Sequence, residues 1–441
     1  MEKSFYIEVY GCQMNVYDSR RIAELLLANG FVQSPDPHDA EILIFYTCNV
    51  REKAAQRLFS NIGFLRSNKT EVIAVGGCVS QAEGTNIFRN KHINISFGAQ
   101  TYHRLPEHIN SILSGKKAQI LDLAFDEGTK FRHLAPSTAK ASHSEFVTIQ
   151  EGCDNFCAYC VVPYTRGREY SRPAKDVIAE AREFIARGAK EITLIGQNVN
   201  SYHGEAPYIT VGQPKETWRL ERLIREIALL DGLKRLRYTT SHPKDFTAEL
   251  MRVHAETPVL TPFAHIPVQS GNDRILKLMN RGHTARAYLD KLAMFRDICP
   301  SIQFSSDFIV GFPTETDTEF EDTVNLAEAA RYTISYSFKY SRRKNTPADK
   351  MDGQIPERIK EERLALLQET LLKSQVEHNR ALVGTTQEVL FDRVGRKENQ
   401  YIGKNVYLQS VIVESSENLI GEFRNVLVEQ SGENSVSGRV L

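Results

Sequence analysis

No run of about 18 apolar residues occurs anywhere in the 441-residue sequence, so nothing in it reads as a membrane-spanning helix. Neither sign of charge is in excess: 55 Lys and Arg balance 55 Asp and Glu. That balance excludes a global basic field, so any nucleic-acid contact must be built locally. Cysteines number seven, an odd count spread over a long chain, which argues against a disulfide framework and for metal or redox use. The first eight residues alternate like a strand and carry no basic segment leading into an apolar one. The expectation is a soluble cytoplasmic protein with no membrane association and about three domains.

What the sequence does contain is Cys153-Asp-Asn-Phe-Cys157-Ala-Tyr-Cys160. Three thiols at this spacing converge on one centre without help from distant chain, and soft thiolates suit iron–sulfur clusters or zinc. Three is the informative number, because a closed zinc site needs four protein ligands while a cubane on three cysteines keeps one iron open. The following Val161-Val-Pro-Tyr-Thr-Arg-Gly167 supplies no fourth ligand. A 4Fe-4S cluster is the preferred reading, and zinc with a distant fourth ligand is the other.

The first 125 residues alternate strand and helix, with strands at residues 4–10, 42–46 and 72–75 and helices at 18–29 and 50–65. Cys12, Cys48 and Cys78 each follow a strand. Alternating strands and helices imply a parallel sheet, whose strand carboxyl ends form the ligand crevice. Topology thus carries three cysteines, 36 and 30 residues apart, to one edge. A second three-thiolate cluster follows from that; three inert buried thiols are the alternative.

After a linker at 136–144 the alternation resumes on a larger scale. Strands are expected at 146–150, 191–195, 235–239, 262–266, 302–309 and 333–339, with helices at 174–187, 218–230 and 319–330. Six such units suggest a partial parallel barrel, with active groups at the strand carboxyl ends, where Cys153 falls. Gln197, His242, His265 and Gln269 occupy equivalent positions. Taken singly, each is as well explained by barrel lining or turn stabilisation. Cys299 has no partner spacing and reads as structural. A charged helix at 356–380 leads into short strands from residue 381 onward, which suit a small β-barrel.

The triplet Cys153, Cys157, Cys160 resembles the cluster motif of the radical S-adenosylmethionine (SAM) enzymes. Gly11-Cys-Gln-Met-Asn, Thr47-Cys-Asn-Val-Arg-Glu-Lys-Ala54 and Val75-Gly-Gly-Cys78 resemble the cysteine motifs of the methylthiotransferase amino-terminal domain, and the carboxyl-terminal segment resembles a TRAM domain. The expected α/β architecture is an N-terminal parallel-sheet domain (1–125), a central TIM-like partial (β/α)6 radical SAM barrel (139–370) and a small antiparallel β-barrel (373–441).

By that resemblance Cys153, Cys157 and Cys160 hold a 4Fe-4S cluster whose open iron chelates SAM, and Cys12, Cys48 and Cys78 hold an auxiliary 4Fe-4S cluster. Gln197 is the expected SAM contact, and Tyr159 is expected to pack on its adenine. The implied reaction is methylthiolation at carbon 2 of N6-dimethylallyladenosine beside the tRNA anticodon, using two SAM per turnover. Threonylcarbamoyladenosine, a ribosomal-protein aspartate, and a zinc-stabilised RNA-binding module are the alternatives. The implied partners are a tRNA anticodon stem-loop, a flavodoxin- or ferredoxin-type electron donor and a sulfur donor, acting on a monomer.

Arg343, at a position that resembles the tRNA-acting branch, lies with Arg342 and Lys344 in a basic turn where Asn345 can take a left-handed conformation. Arg166, Arg168 and Arg172 follow the cluster loop, and these six cations form the expected local RNA patch. The last 61 residues, with six Lys and Arg against eight Asp and Glu, add no positive charge to it.

Overall fold

The computed structural model describes residues 2–48, 52–125, 128–133, 141–207 and 216–441, with the side chains of 52–56 excepted. Part of the expected linker at 136–144 and Asn49 to Arg51 of the second cysteine motif lie outside them.

The amino-terminal sheet has six parallel strands: β1 (Ser4–Val9), β2 (Val32–Gln33), β3 (Ile42–Thr47), β4 (Val72–Gly77), β5 (Ile95–Phe97) and β6 (Ile120–Asp122), in the order β2-β1-β3-β4-β5-β6. Strand β3 is apolar almost throughout because both its faces are covered. Ile42, Ile44 and Tyr46 join Ile22 and Leu26 of helix α1 (Gln13–Ala28) in one core, while Leu43 and Phe45 join Leu58 and Ile62 of helix α2 (Glu52–Leu65) in another. Helix α1 starts directly after Cys12, five residues before the start expected from sequence, so that cysteine sits at a helix amino terminus.

Six more parallel strands form the central domain. They are β7 (Ser144–Thr148), β8 (Glu191–Ile195), β9 (Arg235–Tyr238), β10 (Phe263–His265), β11 (Gln303–Val310) and β12 (Ile334–Lys339). A parallel bridge between Leu236 and Leu260 joins the two halves, giving the open six-stranded barrel that the alternation implied. One element differs from expectation. Trp218 belongs to a short hairpin, Thr217–Arg219 against His203–Glu205, and the helix begins only at Leu220. Its apolar ring mimics a helical stripe but packs as a strand residue would.

The Glu357–Ala381 helix leads to a closed five-stranded barrel. Its strands are not all antiparallel, since Ser410–Glu414 pairs parallel with Ser435–Val440. Arg235 and Arg237 of β9 fix this barrel to the central one. They donate to the carbonyls of Lys404, Asn405 and Val406 at 3.0, 2.7 and 2.8 Å, and Phe423 lies under the Arg235 guanidinium. Phe423 thus packs one face on Arg235, and Tyr401 and Tyr407 pack half-buried against the barrel core. Among the described residues no helix is long and apolar enough to cross a membrane.

The central core contains a pH-sensitive element. His254 is buried, its Nδ1 donating to the Thr261 carbonyl (3.0 Å) and its Nε2 accepting from the Tyr238 hydroxyl (2.7 Å). Burial depresses its pKa from 6.5 to about 4. A base depressed on folding binds more protons when unfolded, so its stabilisation is complete above pH 6.5 and lost as pH falls toward 4. Complete loss amounts to about 3 kcal/mol at 1.36 kcal/mol per pKa unit. Denaturant midpoints should fall between pH 7 and pH 4.5, and His254→Gln should flatten part of that slope.

Candidate functional site

Both cysteine triplets lie at carboxyl ends of parallel strands. Cys12 follows β1, Cys48 follows β3 directly, and Cys78 follows β4 and opens the short helix Cys78–Glu83. Close backbone approach brings these three turns together. A Cβ on Gly77, whose φ is +89°, would stand 2.4 Å from the Thr47 carbonyl oxygen, and one on Gly11 would stand 2.2 Å from the Cys48 Cβ. Only glycine permits that spacing. Cys48 hydrogen-bonds Cys12 and is the main reason that the Cys12 thiol is held at about 6, against the opposing effect of burial.

The second triplet sits in the loop beyond Gln150–Glu151. Its backbone is held from several sides: Gly152 N–H donates to Gln197 Oε1 (2.7 Å), Ala158 N–H to the Met279 carbonyl (2.9 Å), and Asn280 Nδ2 to the carbonyls of Asn155 and Phe156. Phe156 takes a left-handed backbone, φ 47°, at the turn between the first two cysteines. Arg281 Nη1 donates to Cys157 Sγ at 3.4 Å, and Asn155 Nδ2 to Cys153 Sγ at 3.5 Å. Burial pushes Cys160 up to about 12. Burial of these thiols opposes their ionisation, and Arg281 offsets it in part; a bound metal centre would stabilise the thiolates fully. Among the described residues none of the cysteines forms a disulfide, so both triplets offer intact thiol donors. Cys299 is buried, with Ser301 Oγ 3.7 Å from its sulfur, in keeping with a structural role.

A buried ion network ties the two triplets together. Arg166, six residues beyond Cys160, donates to Asn15 (3.0 Å), Asp18 (3.2 Å) and Glu151 (2.8 Å), and Lys130 bonds Asp18 (3.0 Å) and Glu151 (2.8 Å). Asn15 Oδ1 also faces Cys12 Sγ at 3.7 Å. Burial opposes the charge on Arg166, but Cys78, Asp18 and Glu151 outweigh it and hold its pKa well above the ordinary value. A second clasp joins Arg21 of α1 through Glu180 to Arg172, which lies over the Phe131 ring.

These clasps correct one expectation. Arg166 and Arg172 are each 2% exposed and are spent on carboxylates between domains, so neither can grip RNA phosphate. The other four cations stay outside the core: Arg168 beside Asp154, Arg342 beside Asp349, Lys344 exposed and Arg343 half-buried. The 342–344 turn adjoins the cluster loop, since Ala348 N–H donates to the Ala158 carbonyl (2.9 Å), and Asn345 does take the left-handed conformation, φ 71°.

Three stretches match known family models: residues 4–98 an uncharacterized protein family, UPF0004, residues 147–327 the radical SAM superfamily, and residues 380–441 the TRAM domain. Over 446 aligned residues the chain is 46% identical to the tRNA-2-methylthio-N(6)-dimethylallyladenosine synthase of Jannaschia sp. (strain CCS1), spanning 100% of this chain and 95% of that one. The chain belongs to this synthase family. Members from Sphingopyxis alaskensis and Rickettsia felis are 47% and 44% identical, covering 100% of this chain and 98% and 100% of theirs. As a radical SAM protein it works with S-adenosylmethionine and a 4Fe-4S cluster. In fold it is similar to the radical SAM methyltransferase TsrM from Kitasatospora setae, with a TM-score of 0.56 at 14% identity, over 89% of this chain and 79% of that one.

Within this synthase family member, two residues named from sequence take positions that qualify their expected contacts. Gln197 Oε1 accepts from the Gly152 N–H, so Gln197 holds the cluster loop. Tyr159 is half-buried against Ala158, Met279, Phe312 and Tyr340. Sequence reasoning missed Arg281, Lys130, Asp18 and Glu151. Their partners lie far away in the chain, and no local spacing announces them.

Proposed function

We propose that this enzyme converts N6-dimethylallyladenosine beside the tRNA anticodon to its 2-methylthio derivative, with Cys153, Cys157 and Cys160 holding the SAM-binding 4Fe-4S cluster and Cys12, Cys48 and Cys78 a second one. The observation that carries the reading is the pairing of two three-cysteine sets, each at strand carboxyl ends and joined through one buried network. Carbon 2 of the base has neither an acidic proton nor a leaving group, so acid–base or nucleophilic chemistry has no handle there. When bound, the first centre with SAM supplies a 5′-deoxyadenosyl radical and the second supplies sulfur.

The chain's own residues position and shield. Gln197 and Asn280 fix the loop backbone, Arg281 offsets thiolate charge at Cys157, and Arg166 does so beside Cys12 and Cys78. The 342–344 turn and Arg168 are the cations assigned to the anticodon stem-loop. We divide the chain into functional units at 1–125, 139–370 and 373–441, acting as a cytoplasmic monomer with a flavodoxin- or ferredoxin-type reductant and a separate sulfur donor.

Nucleoside mass spectrometry on isopentenylated tRNA, after incubation with anaerobically reconstituted protein, SAM and a reductant, tests the proposal. The expected result is the methylthio derivative. Unchanged nucleoside beside abundant 5′-deoxyadenosine would redirect the substrate to threonylcarbamoyladenosine or a protein aspartate. Colourless protein containing zinc and no sulfide would overturn the reading altogether.

A further inference from the structure

The inner face of the central barrel carries a group of side chains that neither triplet uses. Alternate residues of β11 divide cleanly: Phe304, Phe308 and Val310 enter the core, whereas Ser305, Asp307 and Ile309 turn to the opposite face. In parallel register Ser305 lies beside His265, Asp307 beside Tyr336, and Ile309 beside Phe338. His265 Nδ1 bonds Ser305 Oγ at 2.9 Å, its Nε2 stands 3.5 Å from Asp307 Oδ2, and its ring meets Tyr336 edge-on at 6.4 Å.

On this face Tyr336 and Phe338 are 52% and 45% exposed, unusual for large aromatics on a barrel strand. They sit two residues apart, about 6.6 Å along a parallel strand and close to twice the carbon–carbon contact distance, so a flat ring entering between them can touch both. The face leads toward the cluster loop, for Ile309 packs in the same apolar group as Tyr159.

We propose that Tyr336, Phe338, His265 and Asp307 form the subsite for the prenylated adenine, and that Asp307 selects it over an adenine bearing an acidic N6 substituent. This rests on the function proposed above. An N6-alkylated adenine offers two planar faces, an apolar tail and a single remaining N6–H donor. Two exposed aromatic rings, the apolar Ile309 side chain and one carboxylate acceptor match those features one for one. A threonylcarbamoyl group would instead bring a carboxylate toward Asp307, and like charges in a partly desolvated site repel.

The test uses fully reconstituted enzyme with SAM and no reductant, and reads Kd for anticodon stem-loops carrying N6-dimethylallyl- or N6-threonylcarbamoyladenosine. Tyr336→Ala and Phe338→Ala should each weaken the prenylated stem-loop about tenfold, the usual effect of losing one base-stacking ring, while Tyr336→Phe keeps affinity. Asp307→Asn should narrow the preference for the prenylated over the threonylcarbamoyl stem-loop. Both aromatic variants lose exposed rings, so iron content and unfolding midpoint should match wild type. Wild-type turnover with unaltered affinities in the variants would overturn this inference alone; wild type that forms no methylthio product under reducing conditions would overturn the proposed function and this inference together. Weakened SAM binding in the absence of RNA would assign the face to SAM and likewise overturn it.

Discussion

Alanine at Cys153, Cys157 or Cys160 should abolish SAM cleavage, whereas alanine at Cys12, Cys48 or Cys78 should leave 5′-deoxyadenosine formation near the wild-type rate and stop methylthiolation. Each triplet draws its three thiols from one domain, one set gathered by the Gly11 and Gly77 approaches, the other by Gln197, Asn280 and Arg281. Loss of one thiol should therefore empty only its own centre. Iron analysis of anaerobically reconstituted variants is expected to fall from about eight to about four atoms per chain for either class, four being the content of one such cluster. Parallel assays of 5′-deoxyadenosine and of methylthio-nucleoside then separate the two roles. Equal loss of both products in folded, half-loaded variants of Cys12, Cys48 or Cys78 would show that cleavage needs both centres.

The cysteines were legible in the sequence because their signal is local or topological. Cys153, Cys157 and Cys160 lie within eight residues, and Cys12, Cys48 and Cys78 each mark the end of a strand whose apolar run is readable. The six central strands were legible for a related reason, as each is a short strand-like run set off by helical stretches. What was not legible depends on pairs distant in sequence. Arg166 in isolation, in a glycine- and arginine-containing loop, has the character of a phosphate-binding cation; its carboxylate partner Asp18 is 148 residues earlier. Arg281 reaches Cys157 across 124 residues. Arg172 owes its burial to Glu180, which faces inward only because the amino-terminal domain covers that helix with Arg21. Charge type alone cannot distinguish a solvated cation from an interdomain one; burial decides it.

Removal of the Arg166 guanidinium is the second large effect. The buried group contains two carboxylates, Asp18 and Glu151, and two cations, Lys130 and Arg166, all at most 2% exposed in their side chains. Formal charge therefore balances, and Arg166→Met leaves one carboxylate without compensation. Breaking a buried pair from one side costs about 3–5 kcal/mol, against a median near zero for an exposed pair such as Arg168 with Asp154. Arg166→Met should lower the denaturation midpoint sharply, while Arg168→Met should hardly move it. Combining Arg166→Met with Glu151→Gln restores neutrality, leaving Asp18 with Lys130, so much of the stability should return. Iron at the amino-terminal triplet should not return with it. Arg166 is also the cation beside Cys12 and Cys78, and it shares Asn15 Oδ1 with Cys12. Neutralising Glu151 mends the charge balance of the clasp but puts no positive group next to those thiolates. A double variant that regains both stability and a full complement of iron would reduce Arg166 to an interdomain tie alone.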